Sequence, residues 1–274
     1  MPRIALVQQS AGSDRRVNIE RALDAMGDAA RRGAEIVAFA ELAADLFFPQ
    51  RADDPAAADL AERIPGPLSE AVAARARDLS LVTVFNMYEA GEDGRTYDSS
   101  PLFDANGRLL GVTRMVHITD YACFHEQAYY APGNRGAPVY PTRAGRIGVA
   151  ICYDRHYPEY MRALGVAGAE LVVIPQAGTV GEWPEGLYEA EVRTAAFQNG
   201  YFAALCNRVG KEGDMTFAGE SFVVDPEGRV LAVGADLEDD LVFADLDFSA
   251  CADSTARRLF WRDRRPELYA SWLT

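Results

Sequence analysis

Lysine is almost missing from this chain. Lys211 is the only one among 27 basic side chains, so any chemistry that needs an ammonium group has a single candidate. Cysteine is scarce as well. Cys123, Cys152, Cys206 and Cys251 show no CxxC spacing and no dense framework, which argues against a zinc ribbon and against a disulfide scaffold. Positive charge is short overall: the net charge of −14 lacks the basic footprint that nucleic acid or an anionic membrane requires. No apolar run approaches the roughly 18 residues of a membrane span. The N-terminus enters a strand at Arg3 with no signal-peptide pattern, so a cytoplasmic protein is expected. Internal repeats, low-complexity segments and long linkers are missing too.

What remains is ordinary for a soluble globular enzyme, with 49% apolar and 25% charged residues. Arg3 to Gln8 reads as a strand. Ser13 or Asp14 can cap a helix running to about Arg32, with Val17, Ala22, Ala25, Met26 and Ala29 as its apolar face. Ile36 to Phe39 is a second buried strand, Leu68 to Leu79 a helix and Leu81 to Tyr88 a strand. Asn106-Gly107 marks a hairpin, and Val116 to Gly136 reads as a functional loop. Strands at Ile147 to Ile151, Leu171 to Ile174 and Tyr201 to Asn207 alternate with helices after Pro158 and from Leu187 to Gln198. Ser221 to Val224, Val230 to Val233 and Val242 to Leu246 supply further strands. The pattern predicts one α/β domain over 1–274, with antiparallel pairs added to the alternating units. The basic, aromatic end from Arg257 reads as packing against a partner subunit or the same chain.

Three blocks each place a reactive residue beside a strand end or in the irregular loop. Glu41 ends IVAFAE, Glu126 lies in CFHEQAYYAPG, and Cys152 ends GVAIC where a strand gives way to a turn and helix. A sharp turn there can aim a nucleophile into a pocket beside backbone N–H groups. A carboxylate next to a thiol can take its proton and return it to a leaving group. Taken singly, each residue has a plainer reading: a helix cap or ion pair for Glu41, a solvated loop charge for Glu126, a small buried hydrophobe for Cys152.

Together the three blocks, with GVAICYDRHYPE as the most specific, resemble the nitrilase superfamily of carbon–nitrogen hydrolases over almost the whole chain. The resemblance implies a four-layer α-β-β-α sandwich with mixed sheets, a homodimer or higher even oligomer, and no metal or organic cofactor. It implies Cys152 as the nucleophile that forms a thioester, Glu41 as general base, Glu126 as the second glutamate that orients the site, and the backbone N–H of Tyr153 as an oxyanion donor. The family's lysine sits in a block reading Arg-Lys-x-His, and this chain reads Arg114-Met115-Val116-His117. Met115 thus occupies the lysine position, and a thioether cannot hold an oxyanion. Arg114, on the opposite face of its strand, Lys211 in a Gly-containing loop, His117 and His125 are the candidates for a replacement.

Arg155, three residues after the nucleophile, matches an arginine of the family's carbamoyl-amino-acid hydrolases, where it pairs with a substrate carboxylate. A structural ion pair with Asp154, Glu159 or Glu191 is the alternative. Phe47, Phe48, Tyr129, Trp183 and Tyr188 are candidate pocket walls. The expected function is hydrolysis of a small amide, an N-carbamoyl amino acid or similar carboxylated compound. Met115 motivates a second reading, a catalytically impaired relative that binds a small ligand or partner.

Overall fold

Strand alternation builds a sandwich in the computed structural model, which describes residues 1–272. In chain order the first part supplies β1 (Arg3–Gln8), α1 (Arg15–Arg31), β2 (Ile36–Phe39), α2 (Pro67–Leu79), β3 (Val82–Val84), β4 (Met87–Ala90), β5 (Thr96–Phe103) and β6 (Leu109–Arg114). The second part supplies β7 (Val139–Thr142), β8 (Gly145–Val149), α3 (Pro158–Val166), β9 (Leu171–Gln176), α4 (Leu187–Asn199) and β10 (Phe202–Asn207). The hairpin β11 (Val209–Glu212) and β12 (Met215–Ala218) follows, then β13 (Phe222–Val224), β14 (Val230–Val233) and β15 (Asp240–Asp245). One sheet has the order β15-β1-β2-β3-β5-β4, with β6 also on β5; the other runs β14-β13-β10-β9-β8-β7. Each sheet has a parallel centre, β1-β2-β3 and β8-β9-β10, flanked by antiparallel strands.

The side-chain period of two decides the layers. Ile4, Leu6, Ile36 and Ala38 face Ile147, Val149, Leu171 and Val173 between the sheets. Their neighbours Ala5, Val7, Val37 and Phe39 turn the other way, onto Met26 of α1 and Val72 of α2. On the outer side of the second sheet, Val172, Ile174 and Leu205 meet Leu164 of α3 and Val192 and Ala196 of α4. Each such aliphatic side chain contributes about 1.5–3 kcal/mol on burial. The result is the α-β-β-α arrangement in one layered unit.

Several boundaries differ from expectation. The stretch from Leu81 to Tyr88 is two strands, because Asn86 turns inward. Its Oδ1 accepts from the Leu42 N–H at 2.6 Å, and its Nδ2 donates to Asp98 Oδ1 at 2.5 Å and Ser100 Oγ at 3.1 Å. Asp14 caps α1 as expected, accepting from the Arg16 and Val17 N–H groups. Val17 is nevertheless exposed, and the buried position is Asn18, whose Nδ2 donates to the carbonyls of Gly12 and Ala44 at 2.8 and 3.0 Å. The expected loop around Lys211 is the hairpin β11–β12, and Lys211 is exposed on it opposite Thr216. Near the end of the chain Trp261 packs within the same chain, with the Arg257 guanidinium 3.9 Å from its ring centre. Among the described residues no helix is long and apolar enough to cross a membrane.

Candidate active site

The carboxyl ends of the central strands converge, and three of them carry polar residues into the space between the sheets. Glu41 stands just past β2, Cys152 just past β8, and Gln176 is the last residue of β9. Glu126 arrives from the long loop, on the single 3₁₀ turn Glu126–Ala128. Cys152 opens another 3₁₀ turn, Cys152–His156, and has φ of +41°. A non-glycine residue stays in that region only where its surroundings hold it, a common condition at functional sites. Pro158 then starts α3, with Glu159 in its first turn.

One ligating atom from each of Glu41, Glu126 and Cys152 lies within 4.8 Å of the other two. Glu41 and Glu126 are fully buried, and Cys152 is 5% exposed. Both carboxyls are buried and no basic side chain or helix N-terminus pairs with them among the described residues, so the cap or ion pair considered for Glu41 and the solvated charge considered for Glu126 do not occur. Burial raises both carboxyls well above the usual range, helped at Glu41 by the charges of Asp98 and Glu126 and at Glu126 by that of Asp98. Asp98, buried beside them, is pushed up to about 6, mainly by burial. The Cys152 thiol is also pushed well up by burial and by Glu41 and Glu126, while Arg155 and the Ala177 N–H work the other way.

Glu41 is held by its backbone. The Glu41 N–H reaches the Gln176 carbonyl at 3.4 Å. Arg208, fully buried, donates through Nη1 to the carbonyls of Glu41 and Leu42 at 2.7 Å and through Nη2 to that of Asp45 at 2.9 Å. Its charge is met by Glu212 at 2.5 Å, whose other oxygen accepts from the Phe47 N–H at 2.7 Å.

Met115 is fully buried just past β6. The pairing of Ser99 with Arg114 continues to Asp98 and Met115, whose N–H donates to the Asp98 carbonyl at 2.9 Å. Direct cross-strand partners share a face, so the thioether lies beside the carboxylate cluster. The candidate replacements for an ammonium are engaged elsewhere. Arg114 points to the other face and grips Glu89 at 2.6 and 2.8 Å, its guanidinium 3.7 Å from the Tyr97 ring centre. His117 Nδ1 pairs with Asp154 at 2.7 Å, and His125 with Asp120 at 3.0 Å. Lys211 is on the surface.

Arg155 lies close to Cys152 but is largely occupied. Its Nη1 donates to the Cys152 carbonyl at 3.0 Å and to Gln176 Oε1 at 2.9 Å. Nε is 3.5 Å from Glu191, the ring of Tyr188 lies 4.4 Å below, and Nη2 has no partner. Of the three acidic partners considered for it, Glu191 is the one that pairs. Trp183 packs edge-on against His156 and Tyr121, and the Tyr121 and Tyr188 hydroxyls both donate to Glu182. Phe47 packs edge-on against Phe124 and Phe217. Phe48 and Tyr129 belong to an aromatic cluster with Tyr88 and Tyr130. Tyr129 gives its hydroxyl to the Arg51 carbonyl, so the tyrosine set against Glu41, Glu126 and Asp98 is Tyr130. Gln176, Asp98, Tyr130 and Glu182 were not singled out in the sequence. Gln176 carried the signal that exposed Glu41, a polar residue ending an apolar strand.

A family model described as carbon–nitrogen hydrolase matches residues 3–255. The chain is 31% identical to a citrullinase from Francisella tularensis, across 97% of this chain and 96% of that protein. It is also 31% identical to N-carbamoylputrescine amidase from Solanum lycopersicum, across 99% and 94% of the two. Among solved structures, a carbon–nitrogen hydrolase from Helicobacter pylori G27 superposes with a TM-score of 0.92 at 28% identity, covering 100% of this chain and 98% of that one. A mutant amidase from Nesterenkonia sp. AN1, in which acrylamide has added to the active-site cysteine, superposes with a TM-score of 0.84 at 26% identity and full coverage of both chains, 100% each.

Proposed function

The chain belongs to the carbon–nitrogen hydrolase family, and from that premise we propose that it cleaves the C–N bond of a small N-carbamoyl amino acid or similar carboxylated amide through a Cys152 thioester. The observation that carries this reading is the burial of one thiol and two carboxyls within 4.8 Å of each other. A carboxylate made unusually basic by burial suits the removal of a thiol proton. Glu41 takes that proton as Sγ bonds to the carbonyl carbon. The Tyr153 N–H receives the developing oxyanion, and Glu126 orients the reacting groups. Collapse breaks the C–N bond, and Glu41 returns the proton to the departing nitrogen. Water, deprotonated by Glu41, then attacks the thioester carbon, the C–S bond breaks, and Glu41 passes that proton to Sγ to restore the thiol. Because the resting thiol is held neutral, proton transfer and attack belong to one step rather than to a preformed thiolate.

The carboxylate preference is supported by Arg155, whose Nη2 and Nε donate no hydrogen bond among the described residues, Nε having only an ion-pair contact with Glu191 at 3.5 Å. A carbamoyl group is supported by two relatives, a citrullinase and an N-carbamoylputrescine amidase. Phe48 and Trp183 are the remaining candidates for substrate walls, and Tyr130 takes the place expected of Tyr129. An even homo-oligomer in the cytoplasm completes the reading. Ammonia release from a panel of carbamoyl amino acids, carbamoyl amines, simple amides and nitriles tests it, with Cys152→Ala as the blank. Turnover above the blank, highest on carboxylated ureido compounds, is expected. Full turnover by Cys152→Ala would refute the nucleophile. Silence across the panel would favour the impaired ligand-binding relative that Met115 suggests.

A further inference from the structure

The lysine that this family places near the oxyanion is absent here, yet the sulfur is not without a side-chain donor. Gln176 Nε2 donates to Cys152 Sγ at 3.3 Å. The amide is fixed in this sense by chemistry. A guanidinium has only donors, so the group facing Arg155 Nη1 at 2.9 Å must be the amide oxygen, which leaves the NH₂ for the sulfur. The residue is 1% exposed and ends a central strand, so its position is set by a rigid element. Its carbonyl takes the Glu41 and Arg208 N–H groups at 3.4 and 3.1 Å, which ties it to the base across the two sheets.

We propose that Gln176 is a catalytic residue in this enzyme, the donor that holds negative charge at Cys152 in a site built without an ammonium, and that Arg155 is its positioning residue. As Glu41 draws the proton away and Sγ gains charge on its way to the carbonyl carbon, the Nε2–H bond to sulfur strengthens. The arginine's positive charge is felt through the polarised amide as well as directly. No atom of Gln176 is transferred, so the glutamine is unchanged at the end of the cycle. This assignment rests on Cys152 being the nucleophile, and the test below separates the two claims.

The rate at which iodoacetamide alkylates Cys152 reads the sulfur directly, without any substrate. Gln176→Leu, checked for folding by its thermal transition, should slow alkylation about ten- to hundredfold, the range for a hydrogen bond to a charged group. In a Met115→Lys background, where an ammonium adds positive charge near the same sulfur, most of that slowing should vanish. A merely structural glutamine would lose equally in both backgrounds, and that result, or an unchanged alkylation rate in Gln176→Leu, overturns the proposal. Should Gln176→Leu fail to fold, Gln176→Met, similar in length and without a donor, is read the same way. Turnover by Cys152→Ala would show that Cys152 is not the nucleophile, whereas the alkylation rates report on the Gln176 bond to its sulfur in either case.

Discussion

Replacing Met115 by lysine is the most informative change to the site as it stands. The methionine is cross-strand to Asp98, and such partners have Cβ atoms about 4.5–5.5 Å apart. An ammonium that reached to roughly 5 Å from a carboxylate would, at an effective dielectric constant near 20, interact with it by about 3 kcal/mol. That corresponds to roughly two pKa units. Glu41 is now raised by burial and by Asp98 and Glu126, so the base is protonated on the acid side and activity should rise as pH climbs through its folded pKa. A positive charge favours the ionised form, so Met115→Lys should move the acid limb of kcat/KM downward by about two pH units. The added oxyanion donor should raise the plateau by roughly 10²–10³. Ammonia release measured against pH for both proteins decides the matter. A folded Met115→Lys with the limb unmoved and the plateau unraised would mean that the thioether does not face the reacting groups.

Two further outcomes follow from the buried charges. Asp98 is raised from 3.8 to about 6, so the folded chain holds its proton more tightly than the unfolded chain. Its contribution to stability therefore declines as pH rises from about 4 to about 6 and stays low above that. Asp98→Asn keeps the acceptor for Asn86 and removes the penalty. It should stabilise the protein by up to about 3 kcal/mol near neutral pH and hardly at all below about pH 4, by urea midpoints; equal gains at both pH values would contradict the burial argument. Arg208→Met leaves Glu212 buried without its partner and releases the carbonyls of Glu41, Leu42 and Asp45. A loss of about 3–5 kcal/mol is expected in the same assay. A near-neutral effect would show that Glu212 can relax toward water.

Residues whose local pattern is strong were readable in advance. The strands at Arg3 to Gln8 and Ile36 to Phe39 and the one through Ile147 to Val149 were legible, and so were Glu41 and Cys152 as reactive residues beside strand ends. Glu126 was readable through family resemblance rather than through any period. The misses share a physical cause, namely contacts made between segments distant in the chain. Asn86 breaks a strand because of Leu42 and Asp98, and Arg208 is buried because Glu212 and three carbonyls receive it. Lys211 looked like loop because a short hairpin with a Gly-Asp turn has little apolar alternation. Tyr129 and Tyr130 are adjacent, so only the structure tells which ring faces the carboxylates.

Glu41, the proposed base, follows a strand of one sheet, whereas Cys152, the proposed nucleophile, and Gln176 follow or end strands of the other. Neither half of the sandwich holds a working set. Turnover is therefore a gauge of how well the two halves are docked, and it is sensitive to a slip too small to alter helix or strand content. A chain whose sheets had formed but not closed on each other would look native by far-ultraviolet circular dichroism and be inert. Inactivation by mild urea should accordingly run ahead of the loss of secondary structure, with the sheet–sheet seam as the first place to open.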